Sequence, residues 1–125
     1  MSTADVRSMK QAHKTLAEFS YEPEKIEKGY TGRTLYVNLS DNSITSKPVT
    51  EQMKEIFVGG RGFGLRLLWD GVTAETQWDD PDNEIVISSG PLGGTTGYPG
   101  AGKSLVVSLS PLTNCVIDSN VGGYY

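Results

Sequence analysis

Four glycine-rich segments are the part of this sequence whose residue types and spacing point most directly to chemistry. Thirteen of the fifteen glycines fall between Gly59 and Gly123. Glycine lets the backbone approach a ligand closely, so its N–H groups become available as hydrogen-bond donors. The segments are Gly59–Gly64, Gly90–Gly97, Gly97–Ser104 and Asp118–Tyr125. Together they predict a surface suited to a flat polar heterocycle that carries phosphates.

Side chains that perform acid–base or nucleophilic chemistry are scarce beside these segments. The single histidine, His13, lies near the N-terminus, and the single cysteine, Cys115, lies in an apolar run that predicts a buried, unreactive thiol. One cysteine excludes an internal disulfide, a cysteine-based zinc site and an iron–sulfur cluster held by this chain alone. We therefore assign no catalytic residue to the chain.

The segment Gly97–Ser104 matches the P-loop pattern G-x-x-x-x-G-K-[ST]. A P-loop leads into a helix whose N-terminal amides hold the phosphates. The residues that follow Lys103 are β-branched and apolar, and they predict a strand instead. ATP binding through this segment is therefore a minor alternative.

The segment Gly59–Gly64 has the glycine content of a dinucleotide-binding loop but follows a predicted helix rather than a strand. Two interpretations of its Arg61 stay open. Arg61 either meets an anionic ligand or is solvated in a connection between two helices.

Composition limits the kind of protein this is. The chain has 125 residues, a formal net charge of −4 and a pI near 4.9. This length predicts one domain, and the acidic balance argues against binding nucleic acid. No stretch approaches the roughly 20 apolar residues of a membrane span, and residues 1–27 lack the apolar centre of a secretory signal. We expect a cytoplasmic protein.

The spacing of apolar residues predicts the elements that must position the glycine segments. An amphipathic helix is expected over Ala4–Ser20, followed by a charged linker that ends at Lys28. Alternation predicts a β-hairpin over Thr34–Ser46. Thr50 is the expected N-cap of the next helix, which should stop at Gly59.

The remainder predicts one more helix and three strands. The helix is expected over Phe63–Trp69, with Trp69 and Trp78 filling a core or an interface. The strands are Glu84–Ser88, read as buried, Ser104–Leu109 and Cys115–Asp118. The predicted fold class is α+β with strands in the majority, divided into a helix and linker at 1–28 and a domain at 29–125.

Five motifs in sequence resemble the start of the aldehyde ferredoxin oxidoreductase family across residues 29–125. They are Gly32–Ser40, Gly59–Phe63, Gly90-Pro91-Leu92, Ser110–Thr113 and Asp118–Tyr125. The resemblance implies a tungsten, or sometimes molybdenum, bis-pterin enzyme that oxidises aldehydes to carboxylic acids. Electrons would pass through a [4Fe-4S] cluster to ferredoxin. The family's N-terminal domain consists of two β-sheets that form a base for the cofactor.

The resemblance also implies roles for three residues. Asn120 occupies the position that helps hold the Mg²⁺ bridging the two pterin phosphates, and Gly122 occupies a neighbouring cofactor contact. Lys103 stands where the family has an arginine near the pterin, so the charge is kept and the planar fork is lost. Gly93 replaces a threonine of the usual G-P-L-T-G-T motif.

Length is the largest departure from the family. The family's large subunit has several hundred residues, and its cluster cysteines and catalytic acids come after this point. The resemblance therefore implies an incomplete cofactor-base domain, inactive alone, that needs the remainder of the large subunit or a second chain. The alternative from another class is a structural or assembly subunit that binds a partner through unpaired sheet edges.

Overall fold

The computed structural model describes residues 6–97 and 101–122. The predictions that fall on 98–100 and 123–125, inside two of the glycine-rich segments, lie outside the described residues. The helices and strands, in chain order, are α1 Val6–Gln11, β1 Arg33–Asn38, β2 Ser43–Pro48, α2 Glu51–Phe57, α3 Arg61–Gly71, β3 Val86–Ser89, β4 Lys103–Leu109 and β5 Val116–Gly122. Two antiparallel sheets result, with strand orders β1-β2 and β3-β4-β5. The two-sheet, strand-dominated α+β class is confirmed.

The first sheet is the predicted hairpin. Its turn forms because the Asp41 carboxylate accepts a hydrogen bond from the Ser43 amide at 2.9 Å, and because Asn42 adopts a φ of 58° that asparagine tolerates well. The apolar side of β1 does not face the core: Leu35 is 47% and Val37 55% exposed. Their exposure leaves the apolar side of the hairpin uncovered.

The connection between α2 and α3 differs in detail from the prediction. The Thr50 hydroxyl accepts from the Met53 amide at 3.1 Å, which confirms the N-cap. Helix α2 ends at Phe57, and its C-cap is Val58, with a φ of 62°, one position before the predicted stop at Gly59. α3 then begins at Arg61 and runs to Gly71, longer at both ends than predicted.

The second sheet carries the core on one face. Leu68 of α3 is 1% exposed and packs with Val86 of β3 and Val107 of β4, which is 0% exposed. Gly64 makes this contact possible, because a Cβ at that position would lie 2.4 Å from Val107 Cγ2. The predicted buried strand over Glu84–Ser88 is only partly buried: β3 begins at Val86, which is buried, whereas Ile85 just before it and Ile87 within it are each 69% exposed. The strand packs on α3 through one face only.

Three further predictions are corrected. The N-terminal helix ends at Gln11 rather than Ser20, and Met9 and Leu16 are exposed. A short helix with a thin apolar face is marginal in stability unless something covers that face.

Cys115 is exposed rather than buried, since it lies in the turn before β5, where its thiol donates to the Thr113 carbonyl. Trp69 is 78% exposed, so of its two predicted environments the core is wrong and the interface stays a prediction.

Within the described residues, no helix is both long and apolar enough to cross a bilayer. The predicted division into an N-terminal helix and linker at 1–28 and a domain at 29–125 stays a prediction.

Candidate functional site

The candidate site is one end of the three-stranded sheet. Because the strands are antiparallel, the last residue of β3, the first of β4 and the last of β5 meet at the same end. In the register, Ser89 is opposite Ser104, and Lys103 is opposite Gly122. Three of the glycine-rich segments therefore converge at this end.

Lys103, Asn120 and Gly122 lie on the same face of this sheet end. Lys103 is the direct cross-strand neighbour of Gly122, and Asn120 is the neighbour of Leu105, two residues further along β4. Lys103 and Asn120 are thus diagonal neighbours, for which Cβ atoms are typically about 7 Å apart. The Lys103 stem crosses Gly122, since a Cβ on that glycine would lie 3.1 Å from Lys103 Cγ. The fold brings the three sequence-derived site residues together.

The N-terminus of α3 is fixed to the same sheet end. The Gly60 amide donates to the Ser89 carbonyl at 3.1 Å, and the Ser88 hydroxyl donates to the Gly60 carbonyl at 2.6 Å. A Cβ at Gly59 would lie 3.0 Å from Pro91 Cδ, so only glycine permits this approach at its φ of 149°. The Gly59–Gly64 segment therefore packs against the Gly90–Gly97 segment.

The Gly90–Gly97 loop is built around its own hydrogen bonds. The Gly93 amide donates to the Gly90 carbonyl at 2.9 Å, and the Gly94 amide donates to the Ala101 carbonyl at 3.0 Å. No atom of the residues that the structure describes lies within 4 Å of the Cβ position at Gly90 or Gly94. The backbone is consequently open on that side, as close contact with a flat ligand requires.

Charge at this sheet end is set by Arg61, Asp118 and Lys103. Arg61 donates from Nε and Nη2 to Asp118 Oδ2, at 3.1 and 2.8 Å. Neither open interpretation of Arg61 anticipated this ion pair. Lys103 is exposed and forms no ion pair within residues 6–97 and 101–122. The sheet end thus keeps one uncompensated positive charge, which suits a phosphate.

This arrangement can bind but has little means to catalyse. Across the described parts of the chain, no three His, Cys, Asp or Glu residues are grouped closely enough to hold a metal ion. Asn120 offers one neutral oxygen, and its neighbour Asp118 is already paired with Arg61. The donors fit a phosphorylated ring with a cation held mainly by its own phosphates.

The P-loop pattern does not have the geometry of a P-loop. Its Lys103 and Ser104 are the first two residues of β4, so the segment leads into a strand. Among the described residues no helix begins after Lys103 to hold a triphosphate. The structure thus lacks the feature on which the ATP alternative depends.

The carboxyl and phenol groups with shifted pKa values are Glu84, just before β3, and Tyr36, in β1 of the other sheet. Burial raises the pKa of Glu84, with Lys47 opposing the shift and Asp70 adding to it. Burial also raises the pKa of Tyr36, assisted by the negative charges of Glu84 and Asp70. Because Glu84 precedes β3 whereas Lys103 adjoins the end of that strand, these groups are separate from the candidate site.

Sequence reasoning missed two parts of the site, the Ser88–Gly60 hydrogen bond and the Arg61–Asp118 ion pair. A serine inside an otherwise apolar strand was the available signal for the first. The second joins residues 57 positions apart, and nothing local in the sequence marks such a pair.

Comparison with known proteins gives a consistent result. The family model described as the N-terminal domain of aldehyde ferredoxin oxidoreductase matches residues 34–125. The tungsten-containing aldehyde ferredoxin oxidoreductase of Pyrococcus horikoshii is 36% identical over 97 residues, which cover 78% of this chain and 16% of that protein. The WOR-like subunit of an aliphatic sulfonate oxidoreductase from Pyrococcus furiosus is 36% identical over 93 residues, covering 72% of this chain and 14% of that protein.

A solved structure shows the same relationship. It is the active site complex BamBC of benzoyl coenzyme A reductase in complex with 1,5-dienoyl-CoA, with a TM-score of 0.68 and 30% identity. The match covers 74% of this chain and 14% of that one. This chain therefore spans about one sixth of the length of the first relatives it matches. On this evidence the chain belongs to the aldehyde ferredoxin oxidoreductase family, and its residues 34–125 correspond to that family's N-terminal domain.

Proposed function

We propose that this chain supplies the cofactor base of a tungsten or molybdenum bis-pterin oxidoreductase. The observation that carries the proposal is the convergence of Lys103, Asn120 and Gly122 at one sheet end, beside the open glycines of the Gly90–Gly97 loop. Family membership supports the same assignment. The chain alone would be inactive, because its described residues offer a binding surface without a catalytic group.

Each site residue has a distinct proposed role. The Lys103 ammonium would offset the negative charge of a pterin phosphate, and the Asn120 carboxamide oxygen would be one ligand of an accompanying Mg²⁺. Gly122 keeps the surface flat. When bound, the metal–pterin centre would supply the oxidation chemistry, while this chain provides position and charge.

The reaction we propose is oxidation of an aldehyde to a carboxylic acid. Electrons would pass through a [4Fe-4S] cluster, held by residues outside this chain, to a ferredoxin-like carrier in the cytoplasm. The names of the tungsten-containing relatives support the aldehyde assignment. The sulfonate and benzoyl coenzyme A relatives are named for other substrates, so the substrate has to be tested directly.

The test begins with the native assembly that contains this chain, purified without chelators. Tungsten, molybdenum, iron and magnesium are measured per mole of chain, together with aldehyde oxidation. We expect tungsten or molybdenum with magnesium and iron. Absence of tungsten, molybdenum and iron together would end the proposal.

Variants of the same assembly test the named residues. Lys103→Ala and Asn120→Ala should lower cofactor content on the order of tenfold, as loss of supporting ligand contacts does elsewhere, and Lys103→Arg should restore it. Ser104→Ala and Ser119→Ala are matched controls, because their side chains point to the opposite face of the same strands. Equal metal loss in the controls would show that the effect is not specific to this face.

A second candidate, a non-catalytic assembly subunit, is favoured by the exposed apolar side chains of β1 and β3. Native mass spectrometry separates the two functions. A partner chain with cysteines and metal supports the oxidoreductase. A homo-oligomer free of metal supports the assembly role.

A further inference from the structure

A groove lies between the hairpin and the three-stranded sheet, and its wall on the sheet side runs as far as Ser89, Gly90 and Pro91 at the end of β3. Its volume is about 980 Å³. Residues 29–39 form one wall, residues 81–91 form the other, and Phe63, Leu67 and Gly71 of α3 line it between them. The three α3 residues are four positions apart, so they form one stripe along the helix and make up the groove floor.

The walls of this groove are strand edges rather than strand faces. Successive side chains of a strand point to opposite faces, so a groove against one face would be lined by alternate residues. Here every residue of β1 and of β3 lines the groove. β1 pairs only with β2 and β3 only with β4 among the described strands, and neither β2 nor β4 lines the groove. The groove is therefore bounded by two unpaired strand edges.

The size of the groove matches one extended strand. A six-residue strand is about 20 Å long and about 5 Å wide in the plane of its sheet, and a packed sheet is about 10 Å thick. The volume of one such strand is therefore roughly 1,000 Å³. β1 has six residues. A helix, with a diameter of about 10 Å, would leave both rows of edge N–H and C=O groups without partners.

The surroundings of the groove specify the side chains of its occupant. Towards the floor the occupant would meet Phe63 and Leu67. On the opposite face its neighbours would be the exposed side chains of Val37 in β1 and Ile87 in β3. A strand with apolar neighbours on both faces is itself expected to be apolar at nearly every position, as central strands of covered sheets are.

We infer that this groove receives a β-strand from the part of the family-length protein that lies outside residues 1–125. The inserted strand pairs with β1 and β3 at once and joins the two sheets into one continuous sheet over α3. The relatives supply the source, because the matched segment is only 16% of their length. The inference concerns the polypeptide alone and does not depend on which cofactor is bound.

Hydrogen exchange in the native assembly tests the pairing. An edge strand protects only alternate amides, whereas a strand paired on both sides protects consecutive ones. We expect consecutive amides of 34–37 and 86–88 to exchange at least 100-fold more slowly than unstructured amides. β4 is the internal control, because it is already paired on both sides. Protection that alternates along β1 and β3, with continuous protection in β4, would overturn the inference.

Photo-crosslinking identifies the occupant. A diazirine analogue of leucine, incorporated into the native assembly, places a reactive group at Leu67 on the groove floor without changing its shape. We expect crosslinks from Leu67 to one apolar segment outside residues 1–125. The exposed Leu65 and Leu112 serve as comparison positions in the same sample. Crosslinks from Leu67 to a second copy of residues 1–125, to several unrelated peptides, or to none would each contradict the inserted strand.

Discussion

At the scale of single residues, Gly64 decides how closely α3 lies on the sheet. Its missing side chain leaves room for Val107, which is fully buried. A Cβ at this glycine would lie 2.4 Å from Val107 Cγ2, which is closer than real Cβ atoms approach, and 3.1 Å from Val107 Cβ, which is also tight. The glycine is thus required by packing rather than by backbone conformation.

Gly64→Ala should destabilise the chain by about 1 to 3 kcal/mol, the usual cost of an overfilled core. This cost exceeds the gain of up to about 1 kcal/mol that alanine brings to a helix. Urea unfolding of the two proteins measures the difference. Gly102→Ala is the matched control, because no atom of the described part of the chain lies within 4 Å of its Cβ position. A variant as stable as the parent would show that α3 can shift away from β4.

Glu84 gives stability a defined dependence on pH. Its pKa is raised above 4.5 in the folded chain, chiefly by burial, so the folded state holds this proton more tightly than the unfolded state does. The favourable contribution is fully present below the unfolded pKa and is lost as pH rises through the folded value. Above that value the buried charge opposes folding.

Glu84→Gln should therefore be more stable than the parent chain at pH 7, by less than about 1 kcal/mol because the site is only half-buried. The difference should shrink as pH falls from 7 through the raised pKa of the folded chain, and it should be smallest below 4.5, the unperturbed value. Thermal unfolding across pH 3.5 to 7 measures it, and subtracting the two curves cancels the other carboxyl groups. Glu18→Gln, at an exposed position, controls for loss of a charge. A stability difference that grows on acidification would contradict this assignment.

At the scale of elements, the α2–α3 connection determines where the N-terminus of α3 meets the sheet. Val58 is the C-cap of α2, with a φ of 62°, a conformation that is costly for a β-branched residue. Its carbonyl accepts from the Tyr30 hydroxyl at 2.5 Å, and its amide donates to the Lys54 carbonyl at 3.1 Å. These backbone contacts hold a valine where local preference favours glycine.

Val58→Gly should stabilise the chain by about 1 kcal/mol, because glycine adopts positive φ without strain. Val58 is more than half exposed, so little packing is lost. Ile56→Gly is the matched control: Ile56 is similarly exposed but lies inside α2, where glycine should cost about 1 kcal/mol. Chemical denaturation of both variants tests the pair. Destabilisation by Val58→Gly equal to that of Ile56→Gly would contradict the strain argument.

At the scale of the whole molecule, most of the large hydrophobic side chains of the described residues are exposed rather than buried. The described residues include five buried hydrophobic side chains and twenty large hydrophobic ones that are exposed. Leu35 and Ile87 are uncovered on the sides of β1 and β3 turned away from α3, and Ile117 is uncovered on the corresponding face of β5. Extended apolar surface of this kind is typical of interfaces.

The chain produced alone should bind a hydrophobic dye such as ANS, with fluorescence several-fold above that of the native assembly. The combined change Leu35→Thr, Ile87→Thr and Ile117→Thr should reduce dye binding while altering the free energy of unfolding by only about 0.5 kcal/mol per site. Val107→Thr, which places a hydroxyl in the core, is the contrasting variant and should be strongly destabilising. Equal dye binding before and after the triple change would show that the dye reports another surface.

The sequence by itself determined the features that depend on near neighbours in the chain. The hairpin turn at Asp41 to Ser43, the Thr50 cap and the strand after Lys103 follow from hydrogen bonds within three residues or from side-chain alternation. The family was also recognisable from the order of its motifs. The proximity of Lys103, Asn120 and Gly122 was expected from that resemblance.

Only the tertiary structure decided which faces are covered and which residues meet across the fold. Strand alternation shows that a strand has two different faces, but burial depends on what packs against each face. Ile87 and Cys115 were therefore predicted to be buried and are exposed. The Arg61–Asp118 pair and the groove between two unpaired edges join segments far apart in sequence. Their formation depends on how α3 docks on the sheet, which local preference does not encode.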